Sequence, residues 1–472
     1  MKSIIQHLRR SAGGFHKDRR GNVAIIFSLA ALPLVGFIGA SIDYGRASSA
    51  RTAFQNALDS TALMLAKEAS NDSSAQLQAN AAKYFNALFS ETGVGGISVT
   101  ASYSTNGGSK VVVNGSASVP TTFMKVLGYR NIGIAGSSTA AWGSTRLRVA
   151  LVLDNTGSMA EAGKLTALKT ATQNMLTQLQ SAASTNGDVY VSIVPFVKDV
   201  NVGAGNYNSD WLYWGTAQQD PGRTDNTSWE ANNGTCSTFT VPLLFPSPRA
   251  ACLANSGVWT PKAHSAWNGC VMDRGFPASP SNLSGSSGPD TTNNFDANVG
   301  SPDVTKPASL YAAEQYASCP SAAVMGLNYD WAAMSTLVNN MTANGNTNQA
   351  IGLQLGWMSL VGGGPFTAPP LDPNYNYTQI IILLTDGLNT QNRWYTNQAS
   401  IDTRQQLACN NIKASGITLY TIQVNTGGDP TSALLQNCAS SAEKFFLLTS
   451  ASQIVTTFQA IATNLTQLRV AR

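Results

Sequence analysis

Charge is scarce in this sequence: Asp, Glu, Lys and Arg make up 11% of its 472 residues, against roughly a quarter in an average soluble domain. Solubility must rest on neutral Ser, Thr, Asn and Gly. Hydrophobic residues, at 43%, suffice for a core, and the length allows two or three domains. The formal net charge of +4 misleads, because Met1 to Arg20 carries Lys2, Arg9, Arg10, Lys17, Arg19 and Arg20 against Asp18 alone, which leaves the rest of the chain close to −1. A nucleic-acid binder needs a basic surface, and this body has none to offer. Nucleic acid is therefore excluded as a partner.

Histidine is scarcer still. His7 and His16 lie in the basic N-terminal stretch, and only His264 falls beyond it. There is no His-Glu-x-x-His, and Gly157-Ser158 lacks the Gly-x-Ser-x-Gly context. A zinc protease or a histidine-based triad thus has almost no material, and the expected class is non-enzymatic. The six cysteines contain no Cys-x₂-Cys pair, which argues against zinc and for disulfides in an oxidising compartment. Six cysteines allow 15 complete pairings. Cys409 and Cys438, on predicted helices flanking a predicted strand at Ile417 to Val424, are the pair expected first.

One long stretch lacks charge altogether. Gly21 to Ile42, about 22 residues, carries none, and that length spans a bilayer. A cleaved signal peptide would have a shorter apolar core, and Pro33 can kink a span without forbidding it. Six basic residues precede the span and only Arg46 and Arg51 follow closely. The positive-inside rule then expects a single pass of the bacterial inner membrane, with a cytoplasmic tail over 1–20 and a periplasmic or extracellular body. Past the span, Ala47, Ala50, Phe54, Ala57, Leu58, Ala62 and Leu65 recur at helical spacing, an amphipathic continuation that needs a partner surface. Alternation at Ile97 to Tyr103 and Lys110 to Val119, around Asn106-Gly107-Gly108, reads as a hairpin that supplies it. Residues 43–145 are expected to form an α+β unit.

From 146 to 472 apolar strands alternate with helical runs, as in a doubly wound α/β sheet. Leu147 to Leu153 reads as a strand buried on both faces, followed by a helix from about Lys164 to Leu179. Further strands are read at Asp188 to Phe196, Ile380 to Leu384, Ile417 to Val424 and Lys444 to Leu448, with helices at Ile351 to Leu360, Ser400 to Ala414, Thr431 to Ala439 and Gln453 to Leu468. Between roughly 201 and 330 the pattern stops, and Leu283 to Pro289 is almost all Gly and Ser. A structureless stretch of that size reads as an insertion. It holds Trp211, Trp214, Trp229, Trp259, Trp267 and four cysteines. Two readings compete: a binding face with aromatic anchors, or bulky side chains and disulfides holding together a region poor in regular structure. The second is the simpler.

Asp154-Asn155-Thr156-Gly157-Ser158-Met159 follows the first strand of this part, at the edge where open α/β sheets bind ligands. Alone the string is an ordinary helix-capping turn. Two distant features change its meaning: Ile380 to Asp386 is a second buried strand ending in an acid, and Asn344 to Gln349 is a polar loop opening a helix. Carboxylate and hydroxyl oxygens suit Mg²⁺ or Ca²⁺ and not zinc. In this order Asp154, Thr156, Ser158, Thr347 and Asp386 resemble the metal-ion-dependent adhesion site of von Willebrand factor A domains, with threonine where the first hydroxyl is more often serine. The resemblance implies a Rossmann-like domain that holds Mg²⁺ (or Mn²⁺ or Ca²⁺) at those five residues and takes an acidic side chain from a protein partner.

The N-terminal part carries a second resemblance. Arg19-Arg20-Gly21-Asn22-Val23-Ala24-Ile25-Ile26-Phe27, then Asp43-Tyr44-Gly45-Arg46, then Gln55-Asn56-Ala57-Leu58-Asp59 resemble the start of TadG proteins of tight-adherence (Tad/Flp) pilus assembly, which also carry a von Willebrand factor A domain. A long helix laid on a small sheet is similar to pilin-like proteins. Prepilins cleaved after glycine usually carry Glu five residues on; here that position is Ile26, so a permanent anchor is expected in place of cleavage at Gly21. Together the resemblances imply a membrane-anchored factor for pilus assembly or adhesion, with partners in the pilus or secretion machinery. The rivals are a surface adhesin for host or matrix outside any pilus system, and a hydrolase using Asp154 and Asp386 as an acid/base pair.

Overall fold

The computed structural model describes residues 20–470 apart from 71, 106–107, 143–144, 217–218, 220–226, 239–244, 246 and 276–293. The basic tail over 1–19, most of the Asn106-Gly107-Gly108 turn and Leu283 to Pro289 lie outside the described residues. The chain divides into two units, Met1–Trp142 and Gly143–Arg472.

In the first unit one helix runs from Arg20 to Leu65, 46 residues or about 69 Å at 1.5 Å per residue. Its two halves differ in what surrounds them. Ile26, Phe27, Leu34, Val35, Phe37 and Ile38 are all exposed, whereas Ala47, Ala50, Phe54, Ala57, Leu58, Ala62 and Leu65 are buried. The buried stripe packs on an antiparallel sheet of Gly95–Ser104, Ser109–Pro120 and Asn131–Trp142, in that order. Close approach needs small residues on the sheet: a Cβ at Gly115 would stand 2.9 Å from the Phe54 ring. A second helix, Ser74–Leu88, is one the sequence reading passed over. Its signals were present. Ser73 and Gln76 form a capping box, and Leu77, Ala81 and Phe85 recur every four residues on the buried face. Phe85 meets Phe54 edge-on at 4.9 Å.

The second unit is built on a sheet whose parallel strands lie in the order Phe445–Leu448, Thr418–Val424, Asn376–Thr385, Thr145–Asp154, Val189–Phe196. Helices cover both faces. Lys164–Ala182, Trp331–Asn340 and Ser452–Val470 pack against one, and Gln349–Val361, Gln398–Ala414 and Ala433–Cys438 against the other. The predicted strands and helices all appear, with ends displaced by a few residues. The stretch over 201–330 is less structureless than its composition suggests. Val200–Asn201, Cys270–Met272, Tyr311–Glu314 and Leu212–Tyr213 extend the same sheet beyond Val189–Phe196, and Met325–Asn328 pairs antiparallel with that strand. Segments of two to four residues show no periodicity to read; their pairing is set by distant neighbours. Trp214, Trp229 and Trp267 are buried, with Trp214 edge-on to the other two at 5.4 and 5.5 Å. Those three tryptophans are packing, not an exposed binding face.

All six cysteines are paired, Cys236 with Cys252, Cys270 with Cys319 and Cys409 with Cys438. The last joins helix Gln398–Ala414 to helix Ala433–Cys438, as expected. Closing a loop 29 residues apart stabilises by roughly 3–4 kcal/mol in the chain-entropy account. Cys409→Ser/Cys438→Ser should therefore lower the unfolding free energy by a matching amount in denaturant titration, while unreduced wild-type protein unfolded in guanidinium should yield no free thiol on mass analysis.

Candidate metal centre

The strand Thr145–Asp154 is buried along nearly its whole length and ends in a fully buried Asp154. Its parallel neighbour sets Leu384 opposite Leu153, so Thr385 and Asp386 arrive beside Asp154 and the sheet brings two carboxylates to one edge. Thr156 N–H donates to Asp154 Oδ1 at 2.8 Å and the Thr385 hydroxyl to Oδ2 at 2.6 Å. The Thr156 and Ser158 hydroxyls lie 3.2 Å apart, and Ser158 Oγ donates to Asp386 Oδ1 at 2.6 Å. Asp154, Thr156, Ser158 and Asp386 thus form one continuous oxygen cluster.

Thr347 enters differently. The loop before Gln349–Val361 is stitched to the Asp154 loop by backbone, with Asn344 N–H donating to Asn155 O at 2.8 Å and Gly157 N–H to Gly345 O at 3.0 Å. Thr347 is buried, donates its N–H to Thr390 Oγ1 at 2.8 Å and accepts from Thr390 N–H at 2.9 Å. Among the described residues no hydrogen bond joins its hydroxyl to the other four side chains.

A residue absent from the sequence-derived set sits in the cluster. Lys164 is 5% exposed and places Nζ 2.5 Å from Asp386 Oδ2. The two form a buried ion pair, in which the ammonium partners Asp386 Oδ2. Backbone strain puts it there: Ala162 (φ 50°) and Gly163 (φ 72°) are both left-handed immediately before the helix, and for a non-glycine this costs of order 1–3 kcal/mol. Lysine in the first helical turn also opposes the macrodipole. An exposed lysine at a helix start is nevertheless common, so the sequence alone does not mark this one. Thr385 was missed as well; it points to Asp154 and fixes the carboxylate's orientation.

Burial, and then the charge of Asp386, push the Asp154 carboxyl up to about 7, against the hydrogen bonds from Thr156 and Thr385. Two buried acids facing one ammonium leave the cluster short of positive charge once both ionise. Its donors are oxygens only, which suits Mg²⁺, Mn²⁺ or Ca²⁺. Among the described residues no group of three or more His, Cys, Asp or Glu side chains offers a different kind of metal site. The all-oxygen donor set and its two buried carboxylates against one ammonium fit a hard divalent cation.

A separate polar cleft of about 430 Å³ is lined by Lys198, Glu314, Gln391, Asn392 and Arg393 among others. The segment between strands Val189–Phe196 and Asn376–Thr385 helps shape it. Its Asp273 accepts from Asn348 Nδ2 at 2.9 Å and from Arg393 N–H at 3.2 Å, tying that segment to both loops at the sheet edge. His264 instead stacks on Trp214 at 3.8 Å and pairs with Glu230 at 3.6 Å, a packing role.

Comparison with known proteins bears first on the long helix. Residues 21–66 match the family model described as "Putative Flp pilus-assembly TadE/G-like". That match covers 46 of the 472 residues. No curated protein matches the chain. Among solved structures it is similar to the pilus adhesin SpaC from Lactobacillus rhamnosus GG (13% identity, TM-score 0.35, covering 79% of this chain and 34% of that one). The chain therefore spans about a third of that adhesin's length. It is also similar to the vWF domain of the type V pili tip protein Mfa5 from Porphyromonas gingivalis (11%, 0.35, covering 69% and 96%). A third is the pilus adhesin RrgA from Streptococcus pneumoniae (11%, 0.33, covering 78% and 49%). The TadE/G-like helix contains the uncharged stretch up to Ile42, and the helix from Ile26 on is long and apolar enough to cross a membrane.

Proposed function

We propose that this protein is a membrane-anchored, non-enzymatic envelope factor for pilus assembly or adhesion. Its second unit is a von Willebrand factor A domain, and Asp154, Thr156, Ser158, Thr347 and Asp386 hold a divalent cation, directly or through water. The bound cation supplies an open position for a carboxylate from a partner protein. One observation carries the reading: Asp154, Thr156, Ser158 and Asp386 come together as an oxygen cluster at the carboxyl edge of a parallel sheet, where the two carboxylates are buried and face a single ammonium, that of Lys164. The TadE/G-like segment supports the pilus setting, and the first unit, a long helix on a small antiparallel sheet, is compatible with a pilin-like stalk.

In this reading the chain's residues orient and do not react. Thr385 turns Asp154, Ser158 turns Asp386, and the backbone bonds of Asn344 and Gly157 set the Thr347 loop against them. The body lies outside the cytoplasm. An alkaline phosphatase fusion after Ala69 should accordingly be active and a cytoplasmic reporter at the same point silent; the reverse pattern would overturn the orientation. The partner reading is tested by capture of pilus-system proteins from envelope extracts with Mg²⁺ and with chelator. Capture that is indifferent to the chelator would rule out a metal-bridged contact.

A further inference from the structure

Between the second and third strands of the first unit, a short 3₁₀ turn at Met124–Leu127 presents large apolar side chains to solvent: Phe123 is 43% exposed, Val126 83%, Leu127 62% and Tyr129 65%. Four such groups on one turn contribute little to a core, so the fold alone gives no reason for them. Their position does. Asp43, at the first charge after the uncharged stretch, accepts N–H bonds from Thr122 (2.9 Å), Phe123 (2.8 Å) and Met124 (2.7 Å), and Arg46 donates to the Thr122 hydroxyl at 3.0 Å. The turn is thereby clamped to the long helix where its apolar half ends.

Contacts nearer the N-terminus set the depth. A Cβ on Gly39 would stand 2.5 Å from Phe123 Cβ, and one on Gly36 would be 3.9 Å from Leu127. Gly36 lies seven residues before Asp43, about 10 Å along the axis. The turn therefore runs back alongside the stretch that the anchoring reading places in lipid. Its neighbours on the helix, Leu34, Phe37 and Ile38, are 61%, 75% and 56% exposed. Lys125 and Arg130 flank the apolar groups and are themselves exposed. Apolar side chains with an interfacial tyrosine and basic flanks are the composition that settles at the boundary between headgroups and acyl chains.

Resting on the anchoring part of the proposed function, we infer that Phe123 to Tyr129 is a second membrane contact. It enters the boundary of the outward-facing leaflet beside the span, with Lys125 and Arg130 toward anionic headgroups. Helix and turn then grip the bilayer at two points of one rigid unit, which fixes the tilt of the stalk that a lone span would leave free.

Because all six native cysteines are paired, single added cysteines can be labelled selectively with an environment-sensitive fluorophore. Full-length protein carrying Val126→Cys, Phe37→Cys or Ser104→Cys is reconstituted into vesicles of phosphatidylcholine and phosphatidylglycerol. Ser104 is exposed at the far end of the sheet, where it pairs with Lys110, about 30 Å or more along the strands from the turn. Nitroxide-bearing lipids should quench the labels at 126 and 37 and spare the label at 104, which aqueous iodide should quench. Quenching at 126 by iodide but not by lipid, with 37 still lipid-quenched, overturns the contact and leaves the anchor standing. A label at 126 shielded from both quenchers also overturns it, in favour of a second copy covering the turn. If 37 escapes the lipid quencher, the anchoring reading is wrong and the contact falls with it.

Discussion

In Asp154→Ala protein, Mg²⁺ should no longer stabilise the fold, and adhesion or pilus formation should be lost although the chain still folds and reaches the membrane. A cation at a hundred times its Kd stabilises the native state by about 2.7 kcal/mol, and the variant forfeits that whole increment. The strand that carries Asp154 is held by its buried apolar residues and its ladders to both neighbours, none of which the substitution touches. Without metal the sign is the opposite. The folded-state value of Asp154 is raised from 3.8 to about 7, so the folded state holds this proton more tightly than the unfolded one. The corresponding stability is fully present below the unfolded value and is lost as pH rises through about 7. In chelator, the thermal midpoint of the wild type should fall between about pH 5 and 8. The fall should be shallower in Asp154→Ala, with the remainder owed to groups such as Asp273, which burial raises to about 6. Equal slopes in the two proteins would show that Asp154 does not carry this charge burden.

Lys164→Met should act on metal-free and metal-bound protein in opposite directions. Lys164 and Asp386 are a buried ion pair at 2.5 Å, and removing one partner of such a pair typically costs 3–5 kcal/mol because the other charge is left uncompensated. The metal-free variant should unfold at markedly lower denaturant. A divalent cation approaching Asp386 in the wild type must share that carboxylate with the ammonium. Without the ammonium, the repulsion between two cations a few ångströms apart disappears, and binding should tighten by about tenfold or more, 1.4 kcal/mol per decade. Chemical denaturation with chelator and with saturating Mn²⁺ separates the two effects. If the variant binds metal more weakly than the wild type, Lys164 supports the site in some other way than as a tethered counter-charge.

Lys164 also shows what could and could not be read from the sequence. The five proposed ligands could be picked out because Asp154, Thr156, Ser158 and Asp386 end or follow an apolar strand and Thr347 lies in a polar loop that opens a helix. Thr156, Ser158 and Asp386 meet at one sheet edge through hydrogen bonds between side chains, Asp154 joins them through the Thr156 N–H, and the Thr347 loop is held against them by backbone. Lys164 stood at the predicted start of a helix, where a solvated lysine is unremarkable; only the left-handed pair Ala162 and Gly163 turns it inward, and φ angles are not written in composition. The segment between 201 and 330 fails for a different reason. Its strands are two to four residues long and join the sheet through partners far away in sequence, so neither alternation nor helical spacing can reveal them. Helix Ser74–Leu88 was legible and overlooked, since its capping box and its four-residue apolar spacing lie in plain sequence. The Asp43-Tyr44-Gly45-Arg46 stretch was noticed for its resemblance alone. The structure supplies a physical reason for two of its residues, because Asp43 and Arg46 clamp the Thr122 turn.

The claim on which the rest depends is that Asp154, Thr156, Ser158, Thr347 and Asp386 hold one divalent cation. It is tested most directly by calorimetric titration of the purified full-length chain in detergent with Mn²⁺, after treatment with chelator and with Mg²⁺ as competitor. The account predicts one saturable site per chain, displaced by Mg²⁺ and abolished in folded Asp154→Ala protein. An absence of saturable binding in the wild type, or the same affinity in the folded variant, would contradict it.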